Sequence, residues 1–143
     1  MPESGLEFSF RNRSYILRFN MFPIMQLAGK AASGKSLFFN DLRKHTLYAN
    51  RTDIKLVNIY DCAEISTVAL SGWIHQFDYI VIDNADLLIT EQLQHMISDS
   101  VDARKNFWVL IGRRDYWCVS PKCVGKLLIQ DDEDTKKIYV SYS

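Results

Sequence analysis

The sequence predicts an α/β fold, a three-layer sandwich in which a mostly parallel sheet of about five strands carries β-hairpins at its edges. Three observations predict it. Short runs that are apolar throughout, such as Tyr79–Ile82 and Phe107–Ile111, call for burial on both faces. Amphipathic helical patterns separate these runs, so the chain alternates between the two periods. Towards either extremity, pairs of shorter runs around polar turns read as hairpins.

Length and charge fit this class. The chain has 143 residues, which suits a single domain spanning 1–143. Within it the reading is a hairpin over 1–20, a core over 24–130 and a C-terminal strand over 131–143. Lys+Arg and Asp+Glu are both 17, so the formal net charge is zero. Nothing global draws the chain to nucleic acid or to an anionic membrane, although a local patch can still do so. Hydrophobic residues make up 48% of the chain, which excludes a disordered or low-complexity protein.

Leu6, Phe8 and Phe10 alternate with polar residues, as do Tyr15, Leu17 and Phe19, around Arg11-Asn12-Arg13-Ser14. That is a hairpin. Ile24 to Ala28 reads as a buried strand and Gly29 to Gly34 as a loop. A helix then runs to about Ala49 on Leu37, Phe38, Leu42 and His45. Ile54 to Tyr60 is β-branched and apolar, a strand. Ala63 to Ile74 reads as a helix whose buried face is Ile65, Val68, Ala69 and Trp73. Tyr79 to Ile82 is a strand ending in Asp83. Thr90 can cap a helix with apolar positions Leu93, Met96, Ile97 and Val101. Phe107 to Ile111 is a strand closed by Gly112. Leu127–Ile129 and Ile138–Tyr142 are two last strands, with the acidic run Asp131–Asp134 in the turn between them.

The sharpest chemical signal is Gly29-Lys30-Ala31-Ala32-Ser33-Gly34-Lys35-Ser36, which fits G-x-x-x-x-G-K-[ST] without a mismatch. Chance supplies such a match about once in 200 chains of this length. The glycines let the loop curl so that successive N–H groups face one anion. The helix that follows adds its N-terminal dipole. Lys35 would reach the β- and γ-phosphates, and the Ser36 hydroxyl would coordinate Mg²⁺. Lys30, Ala31, Ala32 and Ser33 fill the loop, where their amides can touch phosphate, and Leu37 completes the binding set. The plain alternative is a Gly/Ser turn at a helix start.

At these residues the chain resembles the P-loop NTPases. Phe77 to Asp86 adds an apolar strand that delivers Asp83 at its C-terminal end, like the magnesium-binding strand of that superfamily. The run Asp83-Asn84-Ala85-Asp86 resembles the AAA-like (additional-strand) ATPases, including the replication initiators. The resemblance implies ATP and Mg²⁺ as cofactors, with Ser36 and Asp83 on the metal. Most of that group place an acid directly after the magnesium Asp, to polarise the attacking water. Here the position holds Asn84, which can orient water but cannot take its proton. Asp86 is the nearest carboxylate that can substitute, or else it caps the turn. Arg113 and Arg114, just past Gly112, match the place of a γ-phosphate sensor or an arginine finger. The plain alternative is a pair of exposed arginines beside Asp115. Length leaves no room for the helical lid of typical AAA proteins, so a partner or a homo-oligomer is expected.

Three readings follow: a small Mg-ATPase with weak or partner-stimulated turnover, a P-loop kinase for a nucleotide or small metabolite, and a non-hydrolysing nucleotide-dependent assembly factor. Asn84 favours the last. No Asn-Lys-x-Asp guanine motif is present, which favours ATP. The N-terminus lacks a signal-peptide pattern, no stretch approaches the ~20 apolar residues of a membrane span, and the odd set Cys62, Cys118 and Cys123 suits reduced thiols, so a cytoplasmic protein is expected. A zinc site from Cys118, Cys123 and His75 or His95 fits no known ligand spacing, and the three histidines read as surface or packing residues. Arg11, Arg13 and Arg18 make the first hairpin basic. They suit either a charged edge strand or, with Tyr15 and its neighbouring phenylalanines, a nucleic-acid contact.

Overall fold

The computed structural model describes residues 5–10, 13–18, 24–28, 35–61, 65–85, 91–102, 106–112, 124–129 and 137–142. In chain order these form β1 (Gly5–Phe10), β2 (Arg13–Arg18), β3 (Ile24–Ala28), α1 (Lys35–Tyr48), β4 (Ile54–Asn58), α2 (Thr67–Gln76), β5 (Tyr79–Asp83), α3 (Glu91–Asp102), β6 (Phe107–Gly112), β7 (Val124–Ile129) and β8 (Lys137–Tyr142). The chain is a mixed α/β protein.

All the strands join one sheet, in the order β1-β2-β8-β7-β3-β6-β5-β4. From β7 to β4 every pairing is parallel. The β1–β2 and β7–β8 hairpins are antiparallel, and β2 runs parallel to β8. Both hairpins therefore lie on the same side of the parallel strands, and β4 forms the opposite edge.

Alternation along the central strands explains their continuous apolar sequence. Tyr79, Val81, Phe107, Val109 and Ile111 join Phe38, Phe39 and Leu42 of α1 on one face of the sheet. Ile80, Ile82, Trp108 and Leu110 join Leu70 of α2 and Leu93 and Ile97 of α3 on the other. A strand covered on both faces has no wet side on which to place a polar residue. The Trp108 indole, wholly buried, donates to Ser100 Oγ at 2.9 Å, and Ser100 in turn donates to the Ile97 carbonyl. The one polar atom of this large side chain is thereby satisfied.

Helix ends follow local chemistry. Asn50 closes α1 at φ 51°, with the Arg51 N–H bonded to the Thr46 carbonyl at 3.0 Å, a left-handed cap that Asn tolerates. At α2 the Ser66 hydroxyl accepts from the Ala69 N–H at 3.0 Å. That cap corrects the sequence reading: α2 begins at Thr67, not near Ala63. The buried face moves with it. Leu70 is buried, Trp73 and Ile74 pack against the same cluster, and Ile65 is buried ahead of the helix. Val68, expected in the core, is 81% exposed. The β4 strand is likewise shorter than expected, because Asn58 Oδ1 accepts the Tyr60 N–H at 3.0 Å and turns the chain into a single 3-10 turn over Ile59–Asp61. Thr90, Asp131–Asp134, Trp117, Cys62, Cys118 and Cys123 lie outside the described residues.

Candidate functional site

Parallel strands send their C-terminal ends to one edge of the sheet, and loops there meet the N-termini of the following helices. Register shows how level this edge is. Asn58 of β4 pairs with Asp83 of β5, Ile82 with Leu110 of β6, and Ala28 of β3 with Gly112. The ends of β4, β5, β6 and β3 thus coincide to within a residue. Since β6 lies between β3 and β5, those two strand ends are roughly 10 Å apart, two strand spacings.

The loop 29–34, which contains Gly29, Lys30, Ala31, Ala32, Ser33 and Gly34, lies outside the described residues. What is described brackets it: β3 ends at Ala28 and α1 opens at Lys35. Ser36 and Leu37 occupy the first turn of α1 and both are exposed. A helix N-terminus with unpaired N–H groups therefore follows the motif directly. Asp86, Arg113 and Arg114 also lie outside the described residues.

Asp83, half-buried at the end of β5, accepts the Asn84 backbone N–H on Oδ1 at 2.9 Å. Asn84 is left-handed, at φ 56°. Its Nδ2 donates to Asn58 Oδ1 at 3.0 Å across the ends of adjacent strands. Asn58 thus accepts from both Asn84 and the Tyr60 N–H. Sequence reading missed Asn58. A polar residue ending a β-branched run was a faint signal, and its partner became visible only through the β4–β5 register.

The clasp has a chemical consequence. With one Nδ2 hydrogen committed to Asn58, Asn84 keeps its carbonyl oxygen, an acceptor, and the second Nδ2 hydrogen, a donor. The oxygen can hold a water by one of its hydrogens and cannot remove a proton. Asp83 carries a carboxylate and Ser36 a hydroxyl, hard oxygen atoms of the kind Mg²⁺ prefers. Among the described residues no group of three or more His, Cys, Asp or Glu side chains could hold a metal ion. Of the expected surface or packing histidines, His95 is exposed, with Nε2 3.6 Å from Glu91 Oε1. His45 instead packs its ring 5.4 Å from that of Phe8.

No protein-family model matches the chain, and no curated protein matches its sequence. Among the described residues no helix is long and apolar enough to cross a membrane.

Proposed function

We propose that this chain is an AAA-like P-loop protein that binds Mg-ATP at the carboxyl edge of its sheet, with slow or partner-stimulated hydrolysis, and works as a small ATPase or nucleotide switch within a larger assembly. One observation carries the reading. The strand leading into the phosphate-loop motif and the strand ending in Asp83 flank an additional strand, β6, and all three finish at the same edge. In this reading the five parallel strands β4-β5-β6-β3-β7 serve as the nucleotide-binding core.

In this reading the amides of Gly29–Gly34 and the Lys35 ammonium hold the β- and γ-phosphates, and Ser36 and Asp83 would hold Mg²⁺. The metal would neutralise phosphate charge. Asn84 supplies an acceptor that orients water, and Asn58 holds the Asn84 amide in one orientation. Arg113 and Arg114 remain candidates for charge stabilisation. The Asn84–Asn58 clasp favours the switch over the fast enzyme, because a general base is commonly worth 10²- to 10⁴-fold in rate and an amide provides none.

Calorimetric titration with ATP, with and without Mg²⁺, tests the binding. Wild type is expected to bind, and Lys35→Ala to lose at least about tenfold in affinity through removal of a charge-assisted phosphate contact. Absence of wild-type binding to any nucleoside triphosphate refutes the proposal. A phosphate-release assay then separates enzyme from switch.

A further inference from the structure

We infer that the aromatic and basic strip where the β1–β2 hairpin meets the outer face of α1 binds single-stranded nucleic acid. This does not rest on the nucleotide reading. The residues lie at the far end of α1 from the phosphate-loop motif.

Helical spacing lines up Asn40, Arg43, Lys44, Leu47 and Tyr48 on one stripe, and all of them are exposed. The hairpin closes one side of this stripe. Phe10, the last residue of β1, stacks on Tyr48 with ring centroids 6.2 Å apart and planes 12° from parallel. Lys44 Nζ stands 5.2 Å from the Phe10 ring centroid. Phe8, two residues earlier, anchors the hairpin through stacked contact with Tyr15 and tilted contacts with Phe38 and His45. A buried hydrogen bond from the Tyr15 hydroxyl to Asp41 of α1 fixes the same junction. The strip is therefore held by a packed base.

Tyr48 is 76% exposed even though it stacks on Phe10, so it offers ring surface to solvent. An exposed ring backed by a second ring is a platform for another flat group.

Charge says which flat group. The segment Arg43–Tyr48 carries Arg43 and Lys44 and no acid, and in the hairpin register Arg13 of β2 pairs with Phe10, in a chain of zero net charge. Carboxylates nearby in the chain are turned elsewhere. Asp41 is buried, and Asp53 is paired with Arg51 at 2.6 Å. Glu7 alternates with Phe8 and Phe10 along β1, so it belongs to the opposite face of the hairpin. A cationic strip interrupted by a stacking platform matches a polyanion that carries planar groups with open faces. Single-stranded nucleic acid has both. A duplex hides its base faces, and an anionic lipid surface has nothing to stack on Tyr48.

The test is fluorescence anisotropy of the full chain with a labelled oligothymidylate of about 20 nucleotides. With about three phosphate contacts, affinity should fall roughly 20-fold between about 50 mM and 200 mM salt. Tyr48→Ala, at an exposed site, should weaken binding roughly 5- to 150-fold, and Tyr48→Phe should restore it. The pair Arg43→Glu and Lys44→Glu should weaken it at least about tenfold, with the salt dependence reduced. Circular dichroism checks that each variant is folded. No binding at low salt overturns the inference. So does unchanged affinity in Tyr48→Ala, equal binding of polyphosphate or of phosphatidylserine vesicles, or displacement of the oligonucleotide by Mg-ATP.

Discussion

Asn84 offers a direct test of how the candidate site is built, because its backbone and its side chain make separable contributions. Replacing it with glycine removes the amide bond to Asn58 but leaves the left-handed φ of 56° free of strain. One such hydrogen bond is worth about 0.5–1.5 kcal/mol. Alanine loses the same bond and in addition places a Cβ in a conformation that costs about 1–2 kcal/mol. Glycine's extra unfolded-state freedom gives back about 0.4–1 kcal/mol of that difference. Asn84→Ala should therefore be less stable than Asn84→Gly by about 1 kcal/mol. For 143 residues at ~2.1 cal/mol/K each, the unfolding entropy is about 0.3 kcal/mol/K, so the gap is about 3 °C in Tm. Urea denaturation, followed by the fluorescence of buried Trp108, measures both variants on one scale. A cycle with Asn58→Ala should return a coupling of about 0.5–1.5 kcal/mol for the Asn58–Asn84 pair. Equal stability of the alanine and glycine variants, or additivity within about 0.3 kcal/mol in the cycle, refutes the account of this turn.

Three other outcomes are expected. Asn84→Glu should raise phosphate release at least about tenfold with nucleotide affinity little changed, at a cost of about 1–2 kcal/mol in stability for a longer side chain at positive φ, as measured by paired turnover and urea assays. Burial, assisted by the charge of Arg51, lowers the pKa of His45 below 6.5. The unfolded chain then takes up a proton first as pH falls, so the contribution of His45 is complete above about 6.5 and is lost below it, and thermal melts of His45→Gln should show a weaker acid dependence in that window. Asn106 Nδ2 donates to the carbonyls of Ile74 at 2.9 Å and Phe77 at 2.6 Å, which terminate α2, so Asn106→Ala should lose about 1–3 kcal/mol in urea titration.

The elements that were legible in the sequence are those in which one period dominates. Ile24–Ala28, Tyr79–Asp83 and Phe107–Gly112 could be read as strands because each is apolar on both faces, and the first hairpin because Phe8, Phe10 and Tyr15 alternate with polar neighbours. Less legible was the stretch between β4 and α2, where side-chain caps override hydrophobic pattern. Ser66 starts the helix by bonding Ala69, and Asn58 ends the strand by bonding Tyr60. Both are one-atom decisions that periodicity does not register. At the candidate site, Asp83 was read as the end of a strand, and β5 does end there. The clasp from Asn84 to Asn58 was not legible, because its residues lie 26 positions apart and meet only through strand pairing. The neutral total charge likewise concealed the strip on α1, which forms when a hairpin is laid against a helix.

The pairing of β2 with β8 sets Ser14 beside Lys137, 123 positions later, and it is the hairpin's connection to the rest of the sheet. A contact of that span is costly to form early, since the intervening chain must be ordered or looped first. Folding is therefore expected to finish at this seam, after β3 to β6 have assembled around Trp108. Until then the β1–β2 hairpin rests on α1 through contacts such as Phe8 with Phe38 and the hydrogen bond from Tyr15 to Asp41. The last strand acts as a fastener: loosening it would release the β1–β2 hairpin from the sheet while β7 and the other parallel strands kept their own partners.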